Sequence, residues 1–450
     1  MTTSSKHIYF LGIGGIGMSA LARYYQHQGY QISGYDLTAT PLTRQLELAG
    51  MSIHYIEDVN KIPDNPEMVV YTPAIPAGNK ELIFCGTRNF PLIKRAALLG
   101  KISEQYYTVA VAGTHGKTSI SALVAHLLKN AGKMISAFVG GITKNYQSNL
   151  ILSESTDVFV VEADEFDRSF LMLKPNIAII SSMDADHLDI YENHESLNQA
   201  FIDFSHQINP SGLLIHHSKL SEAFTGTSNK LSYGIDPNAD LKAVNIQVNN
   251  HRFEFDIAYQ NLNIKNITLQ VPGIHYIENA LAAVGVALQL GLSSEEIKSG
   301  LMSFSGVERR FDIRINNKKV VYIDDYAHHP EEIRATVEAV KMLYPNKKIL
   351  GIFQPHLFSR TRDFAPEFAK SLLPLDVVAL LNIYPARETP IEGITSSTIL
   401  NLIEHQNKYV IEKEDLLPFI QEQTFEVLLT MGAGDIGQMV PLIEQKLAIC

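Results

Sequence analysis

Strand-like and helix-like patterns alternate through the first hundred residues. HIYFLGIG is a short apolar run that reads as a strand, and GMSALARYYQHQG spaces its apolar residues as a helix does. QISGYD is a second strand, and PLTRQLELAG is a helix stopped by glycine. SIHYI and EMVVYTPAI add further strands, and the pattern of this unit ends near Lys101. Such alternation predicts a parallel sheet with crossover helices. A second unit opens with the strand YYTVAVAG (106–113), which runs into a glycine-bearing loop and the amphipathic helix of THGKTSISALVAHLLKNAG. DVFVVEAD and PNIAIISSMD read as buried strands from their Val and Ile content. From about 231 to 271 the pattern changes. NIQVNNHRFEFDIAYQ and LNIKNITLQV alternate apolar and polar residues, as half-exposed antiparallel strands do. IENALAAVGVALQLG is a helix ending at Gly291. After Arg310, strands in KKVVYIDDYA, KKILGIFQPH, DVVALLNIY and FEVLLTMGAG alternate with helices such as EEIRATVEAVKMLY, forming a third α/β unit.

Length agrees with this division, since 450 residues correspond to roughly three domains. The composition, 46% hydrophobic and 19% charged, is that of a globular chain able to bury a core in each. A net charge of −11 argues against non-specific nucleic-acid binding, though a local site can still be basic. Cys85 and Cys450 match no metal spacing or disulfide framework, so a reducing compartment is expected. Glycines break the N-terminal apolar run, and there is no uninterrupted apolar stretch of about 18 residues. The expectation is a cytoplasmic protein without membrane insertion.

The sharpest local signal is Ala112-Gly113-Thr114-His115-Gly116-Lys117-Thr118-Ser119, between a predicted strand and a predicted helix. Glycines let backbone N–H groups turn toward an anion, and the helix N-terminus adds partial positive charge. Lys117 suits β- and γ-phosphates, and the Thr118 hydroxyl suits Mg²⁺. Val111 stands where the common phosphate-loop pattern has glycine, so context rather than the bare pattern carries the reading. Gly12-Ile13-Gly14-Gly15-Ile16-Gly17 contains G-x-G-x-x-G, with Asp36 at the end of the next strand. That arrangement suits a dinucleotide, the diphosphate of a nucleotide sugar, or a tight turn in a doubly wound sheet. Arg95 either adds charge to the same pocket or is a solvated helix residue.

Glu162-Ala163-Asp164-Glu165-Phe166-Asp167 follows a buried strand and offers Mg²⁺ ligands. Asp184-Ala185-Asp186-His187-Leu188-Asp189 closes the next strand, with His187 either a second metal ligand or a loop histidine. Arg309-Arg310 lies at a unit junction, where it either offsets charge on a transferring phosphoryl group or is linker charge. Asp324-Asp325-Tyr326-Ala327-His328-His329-Pro330 and Gln354-Pro355-His356 with Ser359-Arg360-Thr361-Arg362 crowd polar groups at strand ends, as ligand sites do. The glycine turn Met431-Gly432-Ala433-Gly434-Asp435-Ile436 reads as structural.

In this order, GIGGIGMSALA, AGTHGKTS, VEADEFDRSF, MDADHLDIY, FSGVERRFD, IDDYAHHP, FQPH with SRTRDF, and MGAGDI resemble the Mur ligase family along nearly the whole chain. GIGGIGM together with VEADEFDRSF points to the alanine-adding branch. A recycling branch that attaches a whole tripeptide to the same UDP-sugar is the nearest competitor.

The resemblance implies an α/β protein of three domains. These are a Rossmann-like UDP-substrate domain (1–102), a central phosphate-loop ATP domain with added antiparallel strands (103–311), and a Rossmann-like amino-acid domain (312–450). It implies ATP-dependent joining of L-alanine to the lactyl carboxylate of UDP-N-acetylmuramate through an acyl phosphate, in peptidoglycan precursor synthesis. The protein would be a monomer or weak homodimer. Gly113, Thr114, His115, Gly116, Lys117, Thr118 and Ser119 would hold ATP, with Asn279 and Asp325 at its adenosine and Arg310 at its phosphates. Thr118 and Glu162 would bind one Mg²⁺ and His187 a second. Gly12 to Gly17, including Gly14, Gly15 and Ile16, would cradle the UDP diphosphate, with Asp36 and Arg95 beside it and Thr72, Ala74 and Ile75 near uridine. His329, His356 and Arg360 would face the amino acid, and one of His328, His329 or His356 would take the proton of the amine. The chain departs from the family pattern at Tyr276, where Asn is usual, and at Leu357, where Arg is usual. It also has no Lys between His187 and Lys219 for the carbamylated lysine of sister ligases.

Overall fold

Strand residues Ile8 to Leu11, Val109 to Ala112 and Ile349 to Phe353 have almost no exposed surface. Strands covered on both faces this way belong at the centres of parallel sheets. The computed structural model describes residues 6–184, 191, 193–386 and 388–448. Its first sheet has β1 (His7–Leu11), β2 (Gln31–Tyr35), β3 (Ser52–His54), β4 (Met68–Tyr71) and β5 (Leu92–Lys94). All are parallel, in the order β3-β2-β1-β4-β5. Between them run α1 (Ile16–His27), α2 (Pro41–Leu48), α3 (Lys80–Thr87) and, after β5, α4 (Arg95–Ser103). The strand order reverses between β1 and β4, and the crevice at such a switch point takes ligands.

The second sheet starts with β6 (Tyr107–Ala112), followed by α5 (Lys117–Asn130), β7 (Ile135–Thr143), β8 (Ser148–Leu152), β9 (Val158–Glu162) and β10 (Ile177–Ile180). It continues through α6 (His194–Ser205), β11 (Leu213–His217) and β12 (Lys230–Gly234). Its order is β12-β11-β10-β6-β9-β7-β8, so β6 lies between β10 and β9. Pairing is parallel except for the β7–β8 hairpin. This hairpin lies outside the sequence expectation. Gly140, Gly141 and the polar stretch 144–148 interrupt the apolar pattern of residues 135–152.

The strands β13 (Leu241–Asn249), β14 (Arg252–Tyr259) and β15 (Leu262–Thr268) are successive neighbours. Asn250 and His251 both have positive φ, 49° and 58°, which is the two-residue hairpin geometry. Alternating burial along β14 matches the half-exposed strands expected there. Strand β12 differs, pairing in parallel with both β11 and the start of β13. After α7 (Ile274–Gln289) and α8 (Ser294–Ser303), the third sheet has β16 (Asp312–Asn316), β17 (Val321–Asp325), β18 (Ile349–Phe353), β19 (Val377–Leu381), β20 (Lys408–Ile411) and β21 (Val427–Met431). Its order is β16-β17-β21-β18-β19-β20, parallel except at the edge strand β16. The helices that matter here are α9 (Pro330–Leu343) and α10 (Phe358–Asp363).

The chain forms two compact units. The first holds Met1–Lys242, Tyr259–Asn261 and Asn279–Gly300, and the second holds Ala243–Ala258, Leu262–Glu278 and Leu301–Cys450. Within the first unit one hydrophobic cluster runs from Ile8, Phe10 and Tyr24 to Phe138, Phe159 and Phe201. Tyr24 of α1 meets Phe138 of β7 with ring centroids 5.5 Å apart. The first two sheets therefore share a core. Among the described residues no helix is long and apolar enough to cross a membrane.

Candidate active site

In the first unit, the turn after β6 is held from the side by the end of β10. The Ser182 hydroxyl accepts from the His115 N–H at 2.8 Å, and the Ser182 carbonyl accepts from the Thr114 N–H at 3.2 Å. The Thr114 hydroxyl donates to the Asp184 carbonyl at 2.9 Å, and Ser181 donates to the carbonyl of His115. The His115 imidazole lies 3.5 Å from the Asp184 carboxylate. Gly113 has φ 130°, and a Cβ there would strike Ser181. Gly116 has φ 83° and is the N-cap of α5, with no side-chain cap hydrogen bond. That terminus can give its N–H groups to an anion. Asn279 lies beside it, its Oδ1 2.7 Å from where a Gly116 Cβ would stand. Ser119 is buried in the first turn of α5.

The end of β9 supplies the acids. Glu162 accepts from the Thr118 hydroxyl at 3.1 Å on each carboxylate oxygen, and from the Gly140 N–H at 2.8 Å. Lys117 Nζ donates to Gly113 O at 2.7 Å and to both oxygens of Glu165 at 2.9 and 2.8 Å. Burial works against the charged form of Lys117. The carboxylates of Glu165, Asp164 and Glu162 outweigh it and raise its pKa. His187 lies outside the described residues.

The glycine turn after β1 meets the loop after β4. A Cβ on Gly12 would lie 3.0 Å from Thr72 Cγ2 and 3.4 Å from Ile75 Cδ1. Ala74 is part of the same loop, closed by the Ile75 N–H bonding to Thr72 O at 3.0 Å. Asp36 is engaged by the turn itself. Its Oδ2 accepts from the Gly14 N–H at 2.7 Å, which holds the glycine loop against β2. Gly15 is the uncapped N-cap of α1, which Ile16 begins. Arg95 reaches over Gly17, its Nη1 2.6 Å from that residue's absent Cβ, and its guanidinium is 3.7 Å from the Asp164 carboxylate. Arg95 thus lies at the glycine turn, one of the two placements the sequence left open.

In the second unit, the ends of β17, β18 and β19 carry the polar groups. Asp325 accepts from the N–H groups of Phe311 and Ala327 at 2.9 and 2.8 Å and from Thr336 at 3.2 Å. Burial raises its carboxyl to about 6, against the pull of Arg310. The two arginines separate. Arg309 bonds Asp324 at 3.0 Å and the Gly432 carbonyl at 2.7 Å. Arg310 lies 4.0 Å from Glu332, with its guanidinium 4.9 Å from the Tyr326 ring centre. Tyr276, at the departure from the family pattern, is buried and adds to the charge environment of Arg310.

His329 caps α9 in a capping box with Glu332. His328 Nδ1 lies 3.0 Å from the Tyr326 carbonyl, which makes it the donor there. His356 packs between His328 and Tyr384, with ring centroids 5.8 Å from each. Arg360, nearly buried, reaches His356 Nδ1 at 3.5 Å. Leu357, the other departure, has φ 69°, so the chain turns sharply out of the strand end into α10.

Three segments match descriptions of one family. Residues 7–107 match the Mur ligase family catalytic domain, 111–287 the Mur ligase middle domain, and 309–434 the Mur ligase glutamate ligase domain. The chain belongs to the Mur ligase family. It is 48% identical over 448 residues to the UDP-N-acetylmuramate–L-alanine ligase of Christiangramia forsetii, covering 98% of each chain. It is 45% identical over 451 residues to the enzyme of the same name from Porphyromonas gingivalis W83, covering 98% of this chain and 99% of that one. Its fold matches the crystal structure of the UDP-N-acetylmuramate–alanine ligase of Thermotoga maritima with a TM-score of 0.84. That match has 27% identity and covers 98% of this chain and 99% of that one.

For this Mur ligase, residues missed by sequence reasoning are those that support the motifs. Ser181, Ser182 and Gly140 position the phosphate loop and Glu162, and Glu165 holds Lys117. Glu165 was in view within the acidic run read as offering Mg²⁺ ligands, but its pairing with Lys117 was not.

Proposed function

We propose that this chain is the ATP-dependent ligase that joins L-alanine to the lactyl carboxylate of UDP-N-acetylmuramate, in the cytoplasm, as a monomer or weak homodimer. Its domains would be residues 1–102 for the UDP-substrate, 103–311 for ATP and 312–450 for the amino acid. The observation that carries the reading is the head of α5, where Lys117 and Thr118 stand beside Glu162 at an N-terminus without a side-chain cap.

A hydroxyl and a carboxylate are hard oxygen donors. Together with phosphate oxygens and water they fit Mg²⁺, which dehydrates reluctantly and needs few protein ligands. Thr118 and Glu162 would hold it, and when bound it offsets negative charge on the phosphates. The lactyl carboxylate attacks the γ-phosphorus of ATP, the bond to the bridging oxygen breaks, and ADP leaves with the acyl phosphate formed. Lys117 and Arg310 lower the energy of charge on the transferring group. The neutral amine of L-alanine then attacks the acyl carbon and inorganic phosphate departs.

Asn279, beside Gly116, and Asp325 would touch the nucleoside. The turn 12–17 with Arg95, Thr72 and Ile75 would hold the UDP part, and Asp36 would fix that turn through Gly14. One of His328, His329 or His356 would accept the amine's proton. His329 serves as a helix cap, and Arg360 beside His356 offers a guanidinium to the amino-acid carboxylate.

The test is phosphate release from ATP with Mg²⁺ and UDP-N-acetylmuramate, with and without L-alanine. Phosphate release that depends on L-alanine, with the product mass of the alanyl conjugate, is expected. Equal release without it, or a conjugate formed only with a tripeptide and at that conjugate's mass, would reject the assignment.

A further inference from the structure

Lys117 and Glu165 form a charged pair at the head of α5, 2.8 Å apart, in which the reaction gives the carboxylate no role. An ammonium has three N–H donors. In Lys117 they are directed at Gly113 O, at 2.7 Å, and at the two oxygens of Glu165, at 2.9 and 2.8 Å, with Thr114 O farther off at 3.4 Å. The Glu165 side chain is 1% exposed and that of Lys117 is 14% exposed, so water is a poor substitute for either partner. A phosphate oxygen can therefore bond Lys117 only by replacing one of these acceptors.

The backbone holds Glu165 in place. Its carbonyl accepts from the Arg168 N–H at 2.9 Å and from the Tyr191 hydroxyl, and the preceding Asp164 carbonyl accepts from the Phe170 N–H at 3.0 Å. Glu162, three residues earlier, faces Thr118 and Gly140 instead. One acidic run thus divides its work between two neighbours in α5. Glu162 goes to the hydroxyl and Glu165 to the ammonium.

We propose that Glu165 is a positioning residue that exchanges with phosphate as the partner of Lys117, keeping the ammonium in the loop between turnovers and helping to displace ADP after each one. The inference rests on reading the loop as the ATP phosphate site. Gly113 O is part of the loop backbone and cannot withdraw, whereas the Glu165 carboxylate sits on a side chain with rotatable bonds. Glu165 is therefore the acceptor that gives way. Its competition lowers nucleotide affinity, and its return to Lys117 supplies a replacement partner as the product leaves. A residue that only supported the fold would act in the opposite direction, since its loss would weaken binding.

The experiment measures ADP affinity by calorimetry for the full chain, for Glu165→Gln, for Lys117→Met and for the double variant, with steady-state turnover of the first two. Gln keeps the shape and one acceptor oxygen but not the charge. Glu165→Gln should bind ADP on the order of tenfold more tightly, with KM for ATP and kcat both falling because product release slows. In the Lys117→Met background the same change should gain much less, because no ammonium is left to compete for.

Glu165→Asp, which keeps the charge on a shorter arm, is the second variant and should fall between wild type and Gln. Equal or weaker ADP binding by both Glu165 variants would overturn the exchange role. So would an equal gain in both backgrounds, which would mean simple removal of negative charge. If the unaltered chain bound no ADP, the ATP reading itself would fail, and that outcome is separable from the others.

Discussion

Asp36 shows how a single side chain can serve a different partner from the one its spacing suggests. Placed at the end of β2, it is where a dinucleotide site keeps its ribose acid, yet its carboxylate holds the Gly14 N–H. The spacing was legible in the sequence, but which of the two partners it serves was not. Glu162 and Glu165 pose the same problem, because the turn through Ala163 and Asp164 decides which one meets the hydroxyl and which the ammonium. His126, in the third turn of α5, is a residue whose environment makes a measurable claim. It is buried against Tyr146, Nδ1 to hydroxyl 2.9 Å, and burial lowers its pKa to about 4. The folded state thus holds it neutral where an unfolded chain, with a pKa near 6.5, takes up a proton. Its contribution is complete above about pH 6.5 and is lost as pH falls toward 4, by up to about 3 kcal/mol. Denaturant titrations at pH 7.5 and 4.5 should show a smaller acid loss for His126→Gln than for the unaltered chain. Equal losses would mean that another group sets the acid limit.

At the scale of elements, the link into β16 separates two arginines that adjacent positions made look alike. Arg309 ties the ends of β17 and β21 through Asp324 and Gly432, and Asp324 is fully buried. Arg309→Met would leave that carboxylate with Thr430, 2.7 Å away, as its one side-chain donor among the described residues. Fully buried pairs cost roughly 3–5 kcal/mol when broken. With Arg309 partly exposed, about 2–3 kcal/mol is expected here. Arg310→Met removes a half-buried guanidinium near Glu332 and should change the melting temperature little, while lowering turnover roughly 10²-fold or more. Thermal unfolding and kcat for the two variants check the division, and a reversed pattern would exchange the two roles.

The strands that carry these groups were legible because Val- and Ile-rich runs ending in polar clusters are a strong signal. Strands β5 and β16 and the β7–β8 hairpin were not. β5 has three residues, β16 has only five and runs straight into the polar stretch 316–319, and Gly140, Gly141 and the polar stretch 144–148 interrupt the hairpin, so no period is sustained long enough to read. The site followed the same rule. Loops read by glycine spacing were found, while Ser181, Ser182 and Gly140 were missed because a single serine or glycine carries no period.

For the molecule as a whole, the continuous core of the first unit has a mechanical consequence. Helix α1 rises from the glycine turn of the first sheet and packs on β7 of the second, with Tyr24 against Phe138 and Phe138 against Phe159 at 5.2 Å. Asn149 of β8 donates to the Ile16 carbonyl at 2.6 Å, so the start of α1 is fastened to the second sheet as well. Two sheets that share one core should lose protection together, because exposing either face exposes the same aromatic side chains. Phe138→Ala should cost about 3–5 kcal/mol and accelerate amide exchange in β1 and β6 by similar factors. It should also raise KM for the nucleotide sugar, since the helix terminus at the glycine turn loses its support. Exchange that quickened in β6 while β1 kept its protection would show that the sheets unfold separately. The core would then join them by contact alone, without cooperative coupling.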